Sequence, residues 1–97
     1  MHARVVTVQI RPGKTGGTVE IFRDALIPAL RGQPGFCGAR LLTDAASGRG
    51  LMITLWESED ALRANEASGF FREQIARFGP VLGAPPSAER YEVSVMV

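Results

Sequence analysis

Leu51-Met52-Ile53-Thr54-Leu55-Trp56-Glu57-Ser58-Glu59-Asp60-Ala61-Leu62 reads as a strand that turns directly into a helix. From Leu51 to Trp56 successive side chains point to opposite faces, so Leu51, Ile53 and Leu55 share one side and Met52, Thr54 and Trp56 the other. Neither side is polar. Ser58 is of the type whose hydroxyl accepts from a free N–H at a helix start, and Glu59 and Asp60 put negative charge where the helix dipole favours it. The spacing predicts a helical segment from Ser58 to about Phe78, broken or bent at Gly69. Phe71, Ile75 and Phe78 form its later apolar stripe, and Gly79-Pro80 closes it.

Working outward, Ala3 to Ile10 alternates in the same way, with Val6, Val8 and Ile10 opposite Val5, Thr7 and Gln9. Arg11-Pro12-Gly13 stops this strand. A first helix is expected from about Thr18, as N-cap, to Arg31. Its stripe is Val19, Phe22, Leu26, Ala29 and Leu30. Pro28 conflicts with that helix and predicts a kink or a last turn that is not α. Phe36 to Thr43 is the second strand, Asp44 to Gly50 a hairpin connection, and Val81 to Ala88 a loop. Arg90 to Met96 is the last strand, with Tyr91, Val93 and Val95 opposite Glu92, Ser94 and Met96. Strand, helix, strand, strand, helix, strand predicts an α+β, ferredoxin-like β-α-β-β-α-β domain over residues 1–97. Its four-stranded antiparallel sheet would carry both helical segments on one face.

Composition narrows the function. With 97 residues the chain is expected to form one domain, burying roughly two-thirds of its unfolded surface. Hydrophobic residues are 45% and charged residues 22%, and the net charge is +1. The basic residues are scattered among acids with no basic stripe, which argues against nucleic acid. Cys37 is the one cysteine, so no intrachain disulfide is expected and a reducing, cytoplasmic setting is the default. No apolar run resembles a signal peptide or approaches the ~20 residues of a membrane span.

Two short helices cover only one face of such a sheet, and the other face should be polar in a monomer. Strand three is apolar on either side. The uncovered face is expected to carry Val5, Thr7, Met52, Thr54, Trp56, Ser94 and Met96, a surface suited to a partner sheet and a ligand cavity. At ~25 cal/mol per Å², hiding several hundred Å² there is worth several kcal/mol before association costs. A homodimer is therefore expected. The alternative is a wet face with Trp56 folded back on its own helix.

Leu55-Trp56-Glu57-Ser58-Glu59-Asp60-Ala61-Leu62 resembles the strand-to-helix junction of the antibiotic biosynthesis monooxygenase domains, within the dimeric α/β-barrel superfamily. Pro34-Gly35-Phe36, Gly69-Phe70-Phe71-Arg72 and the Pro12-Gly13-Lys14 stop fit the same order, so the resemblance spans nearly the whole chain. It implies a ferredoxin-like fold and a dimer whose sheets form a barrel. It does not imply one activity, because such domains include cofactor-independent monooxygenases of aromatic polyketides, haem-degrading enzymes and members of no assigned role.

The haem-degrading relatives hold iron with a His on the second helical segment. Here the single histidine is His2 and that segment has none, which disfavours haem. One His and one Cys make no metal cluster. Cys37 reads as a small buried hydrophobe rather than a nucleophile. Gly13-Lys14-Thr15 lacks the upstream glycine of a phosphate loop. The expectation is oxygenation without a cofactor: an electron-rich phenol, quinol or anthrone reacts with O2 through its own anion, and the protein excludes water, orients the ring and stabilises charge. Candidate catalytic groups are Trp56, Asn65, Arg72 and Tyr91. In the resembling enzymes a Trp, an Asn, a Tyr and an Arg have such roles, and Trp56 alone matches by motif, the others by residue type. Thr7, Met52, Thr54, Phe70 and Phe71 are the expected lining of a small aromatic ligand site. Each has a plainer reading: Trp56, Phe70 and Phe71 as core, Asn65 as a cap, Arg72 as solvated or paired with Glu66 or Glu73, and Tyr91 as half-buried. The alternative function is a non-catalytic dimeric module that binds a small ligand or serves as an accessory subunit.

Overall fold

The alternation at the start of the chain forms β1 (His2–Gln9). Its buried positions Arg4, Val6 and Val8, continued by Ile10, mark the side that meets the helices. The computed structural model describes residues 1–97. β1 pairs antiparallel with β3 (Arg49–Trp56) on one side and β4 (Ser87–Glu92) on the other, and β2 (Phe36–Asp44) pairs antiparallel with β3. The order is β2-β3-β1-β4, so each helical crossover skips one strand and joins parallel partners. The fold is α+β and ferredoxin-like, with a four-stranded antiparallel sheet. No helix is long and apolar enough to cross a membrane.

The first crossover is α1 (Thr15–Ile21), a π-helical turn (Phe22–Leu26) and α2 (Ile27–Arg31). The helix starts before Thr18, which is not its cap. Lys14 holds the cap position with no side-chain bond, and Thr18, 0% exposed, donates its hydroxyl to the Lys14 carbonyl at 2.9 Å. The conflict at Pro28 is resolved by widening rather than kinking. The π turn ends just before Pro28, with the Ile27 N–H donating to the Phe22 carbonyl five residues back. An unbroken α ladder would set the ring of Pro28 against the Asp24 carbonyl.

α3 (Glu59–Ala67) begins as its sequence predicts. Ser58 is extended, and its hydroxyl accepts from the Ala61 N–H at 3.1 Å. Gly35 holds the junction from the other side: its carbonyl accepts from the Glu57 N–H at 2.8 Å, and a Cβ there would lie 2.5 Å from the Ala61 Cβ. With φ at +79°, this position requires glycine twice over. The break falls at Gly69, φ +84°, before α4 (Phe70–Ala76).

β4 is earlier than its composition suggests, at Ser87–Glu92 rather than Arg90–Met96, and every residue in it is exposed. Ser94 and Met96 lie beyond it. The expected loop from Val81 is partly core: Phe78, Val81 and Leu82 are buried, and Gly83 donates to the Gln9 carbonyl at 2.8 Å, tying the chain to the end of β1. Cys37 is exposed rather than buried, because it is the extra residue where the β2–β3 register shifts between Phe36 and Gly38.

The larger correction concerns the two sides of the sheet. Val6 pairs with Met52 and Arg4 with Thr54, which places Met52, Thr54 and Trp56 under the helices rather than on the uncovered side. Trp56 is 0% exposed and sits in one core with Val6, Phe22, Leu30, Leu62 and Phe78. The uncovered side is carried by Val5, Leu51, Ile53 and Leu55, with Leu42 and Tyr91 half open toward the edges. Its two central strands are apolar there, but from the other set of side chains, and charged residues flank them, Arg40 opposite Ile53 and Glu89 opposite Val5.

Candidate functional site

A cavity lies between the covered face of the sheet and the helices. Its floor is Arg4, Val6, Met52 and Thr54, and its walls include Leu26, Leu30, Phe70, Phe71, Gln74 and Phe78. Counted out to its mouth the void is about 350 Å³, but the free interior is about 20 Å³, room for a single water. Three polar side chains face an otherwise apolar enclosure.

Arg4 is 2% exposed. The two-residue period of β1 puts it in phase with Val6, Val8 and Ile10, so the strand leaves its guanidinium no route to solvent. Burying a charge is costly unless it is paired. None of the chain's four ion pairs includes Arg4. Its compensation comes from a hydrogen bond and two rings. Nη1 donates to Asn65 Oδ1 at 3.2 Å, and the guanidinium carbon lies 4.5 Å from the centre of the Phe71 ring and 5.5 Å from that of Trp56. Cation–π contacts of this kind are worth up to ~2 kcal/mol each when dry. Burial pushes the Arg4 pKa down from its usual value, and the field of Glu66 opposes that shift. Glu66 itself is paired with Arg90 at 3.4 Å.

Asn65, on α3 and 5% exposed, extends the contact outward by donating Nδ2–H to Gln33 Oε1 at 3.0 Å. On the outer side of that pair lies an open groove of about 290 Å³ lined by Gln33, Gly35, Glu57, Ala61 and Asn65 among others. Trp56 donates its indole N–H to Thr54 Oγ1 at 3.0 Å and packs edge-on against Phe36 at 5.8 Å. The indole proton is thus engaged, and the Thr54 hydroxyl, which lines the cavity, donates to no other side chain or backbone group. Gln74, 8% exposed on α4, makes no side-chain hydrogen bond, and its Oε1 is fully buried without a partner.

The structure gathers Trp56, Asn65, Met52, Thr54, Phe70 and Phe71 around one buried guanidinium. It does not bring Arg72, Tyr91 or Thr7 there. Arg72 is exposed on the outer face of α4 and in no ion pair. Tyr91 is 51% exposed on the uncovered side, where its hydroxyl donates to Glu89 Oε2 at 3.0 Å and raises the phenol pKa above its usual value. Thr7 is exposed on that same side, paired with Leu51. Sequence reasoning missed Arg4, Gln33 and Gln74. The signal for Arg4 was present, since extending the Val6–Val8–Ile10 face one step back reaches it. No group of three or more His, Cys, Asp or Glu side chains is placed to hold a metal ion.

Comparison with known proteins agrees with the fold. The family profile described as antibiotic biosynthesis monooxygenase matches residues 1–77. An uncharacterised Mycobacterium tuberculosis protein is 31% identical over 100 residues, covering 99% of this chain and 42% of its own length. The chain therefore spans less than half of that relative. Among solved structures, a monooxygenase of Streptomyces coelicolor in complex with nanaomycin D is 26% identical, with a TM-score of 0.75, covering 99% of this chain and 89% of that one. A Nitrosomonas europaea protein of unknown function is 19% identical at a TM-score of 0.77, covering 99% and 91%, a likeness of fold alone. The chain belongs to the antibiotic biosynthesis monooxygenase family.

Proposed function

We propose that this protein is a monooxygenase that uses no cofactor and oxidises a small aromatic substrate of the phenol, quinol or anthrone type in the cavity beneath α4. One observation carries the reading: the buried Arg4 guanidinium has no carboxylate partner and lines an aromatic-walled cavity beside the Thr54 hydroxyl. An oxygenase without a redox centre needs fixed donors aimed at developing negative charge in a site without water. For an anthrone the balance is one ring methylene plus O2 giving the ketone and water. The substrate supplies the electrons, one oxygen atom enters the carbon, and the other leaves with the two methylene hydrogens. Arg4 holds the oxygen that becomes anionic when the substrate loses a proton, Thr54 donates to it, and Phe71 and Trp56 keep the guanidinium in place. Because the free interior is about one water in size, α4 must swing on Gly69 to admit a ring.

The uncovered side of the sheet pairs with a second copy in this reading. Val5, Leu51, Ile53 and Leu55 are too apolar a group to leave in water. The similarity to the S. coelicolor monooxygenase supports the reaction class. The alternative is a ligand-binding module of the same fold, whose cavity would need no group able to meet an oxyanion.

Oxygen uptake with a panel of anthrones and quinols tests the enzyme. The expected result is one O2 consumed per quinone formed from anthrone, with a lower rate in Trp56→Phe. Uptake no faster than buffer across the panel sinks the proposal in favour of the module.

A further inference from the structure

We infer that the cavity selects ligands that are already anionic and also carry a hydrogen-bond donor, the anionic oxygen meeting Arg4 and the donor meeting Gln74 Oε1. The inference rests on the cavity being the ligand site. It adds a binding rule that an oxygenase does not require, since a neutral phenol or anthrone could enter and lose its proton later.

Two independent features lead to it. The first is a charge without a counter-charge. Arg4 has five N–H donors. One goes to Asn65, none goes to a carboxylate, and the guanidinium lines the cavity. A buried charge paired by a second charge and hydrogen bonds is far cheaper than one left with rings and a single amide. A ligand bringing an ionised oxygen supplies the missing partner through a charge-assisted bond, the stronger kind. The second feature is the orphan acceptor. Gln74 Oε1 is fully buried without a partner. A buried acceptor left unmade costs ~1–3 kcal/mol, a cost that a ligand hydroxyl or N–H removes. Both side chains line the same enclosure, with Phe70, Phe71 and Phe78 as apolar walls. The chemistry that satisfies all three is a flat aromatic with one ionised oxygen and one O–H or N–H.

An ionised oxygen can belong to a phenolate-like group or to a carboxylate, and calorimetric titration of matched pairs separates the two. The first pair is 2,6-dihydroxy-1,4-naphthoquinone, whose 2-hydroxyl is ionised at neutral pH while its 6-hydroxyl remains a donor, and its 2-methyl ether. The second is 6-hydroxy-2-naphthoate and its methyl ester. The ionised member of at least one pair is expected to bind about tenfold tighter or more, and the pair that discriminates names the group. Arg4→Met is expected to abolish that preference, and Arg4→Lys, which keeps the charge, to retain part of it. Gln74→Leu is expected to bring 6-hydroxy-2-naphthoate down to the affinity of 2-naphthoate, which lacks the donor. Equal binding within both pairs, or a preference that survives in Arg4→Met, overturns the inference. Circular dichroism of each variant confirms that the fold is intact. Oxygen uptake reads the other claim separately. Anion-selective binding with no uptake leaves this inference standing without the enzyme, and uptake with no anion preference does the reverse.

Discussion

On β3, Trp56 is 0% exposed and its neighbour Leu55 is only partly covered, although both are large and apolar. The same contrast runs across the whole sheet. The covered side is closed by helices, is satisfied in all but one of its fully buried side-chain polar atoms, and hides a guanidinium in its floor. The uncovered side holds Val5, Leu51, Ile53 and Leu55 with nothing over them, and its one phenol is bonded to a surface carboxylate. Burial of a charge is tolerated where packing is dense enough to hold partners in place. A contiguous group of partly open apolar side chains on a sheet is a surface that a partner can cover.

The largest expected effect is on the covered side. Phe78 is 0% exposed and lines the cavity, so Phe78→Ala should cost about 3–5 kcal/mol, read from denaturant unfolding. A cost near zero would mean the core beneath α4 is already loose. On the uncovered side, Ile53→Arg should barely alter the fold but should convert a sedimenting dimer into a monomer of about 10.4 kDa. A wild-type chain that already sediments at that mass removes the second copy from the reading. Smaller is the gain expected from Gln74→Leu, which replaces an orphaned polar group with a similar apolar volume and should raise stability by about 1 kcal/mol. A loss instead would mean that Gln74 has a partner such as an ordered water. The smallest effect is at Tyr91. The hydrogen bond to Glu89 raises its pKa above 10.0, so the fold favours the protonated phenol. That preference is present below the unfolded value and fades as pH rises through the folded one. In a spectroscopic titration, Glu89→Ala should bring the tyrosinate midpoint back toward its ordinary value, with little change in stability because the group is exposed.

Much of the scaffold was legible because it is local. Ser58 with Glu59 and Asp60 marks a helix start by chemistry that needs no distant partner, and the cap is where it was expected. Gly69 and the β1 alternation are of the same kind. The site was legible in part. Trp56 and Asn65 are near the buried cation, whereas Arg72, chosen by residue type, lies on the outer face of α4, where the helical period directs it away from the core stripe. Composition points to a later β4, because Val93-Ser94-Val95-Met96 is the more strand-like run, while register with β1 selects Ser87–Glu92.

The alternating pattern by itself determined that β3 is apolar on both sides, and the order of strands and helices determined the topology. Which apolar face lies under the helices was decided only in three dimensions. A period of two divides a strand into sides without naming the inner one, and β3 offers two sides of nearly equal hydrophobicity. Pairing with β1 broke the tie, because Val6 and Val8 could lie beside Met52 and Gly50 only in the register that also drew Arg4 inward beside Thr54.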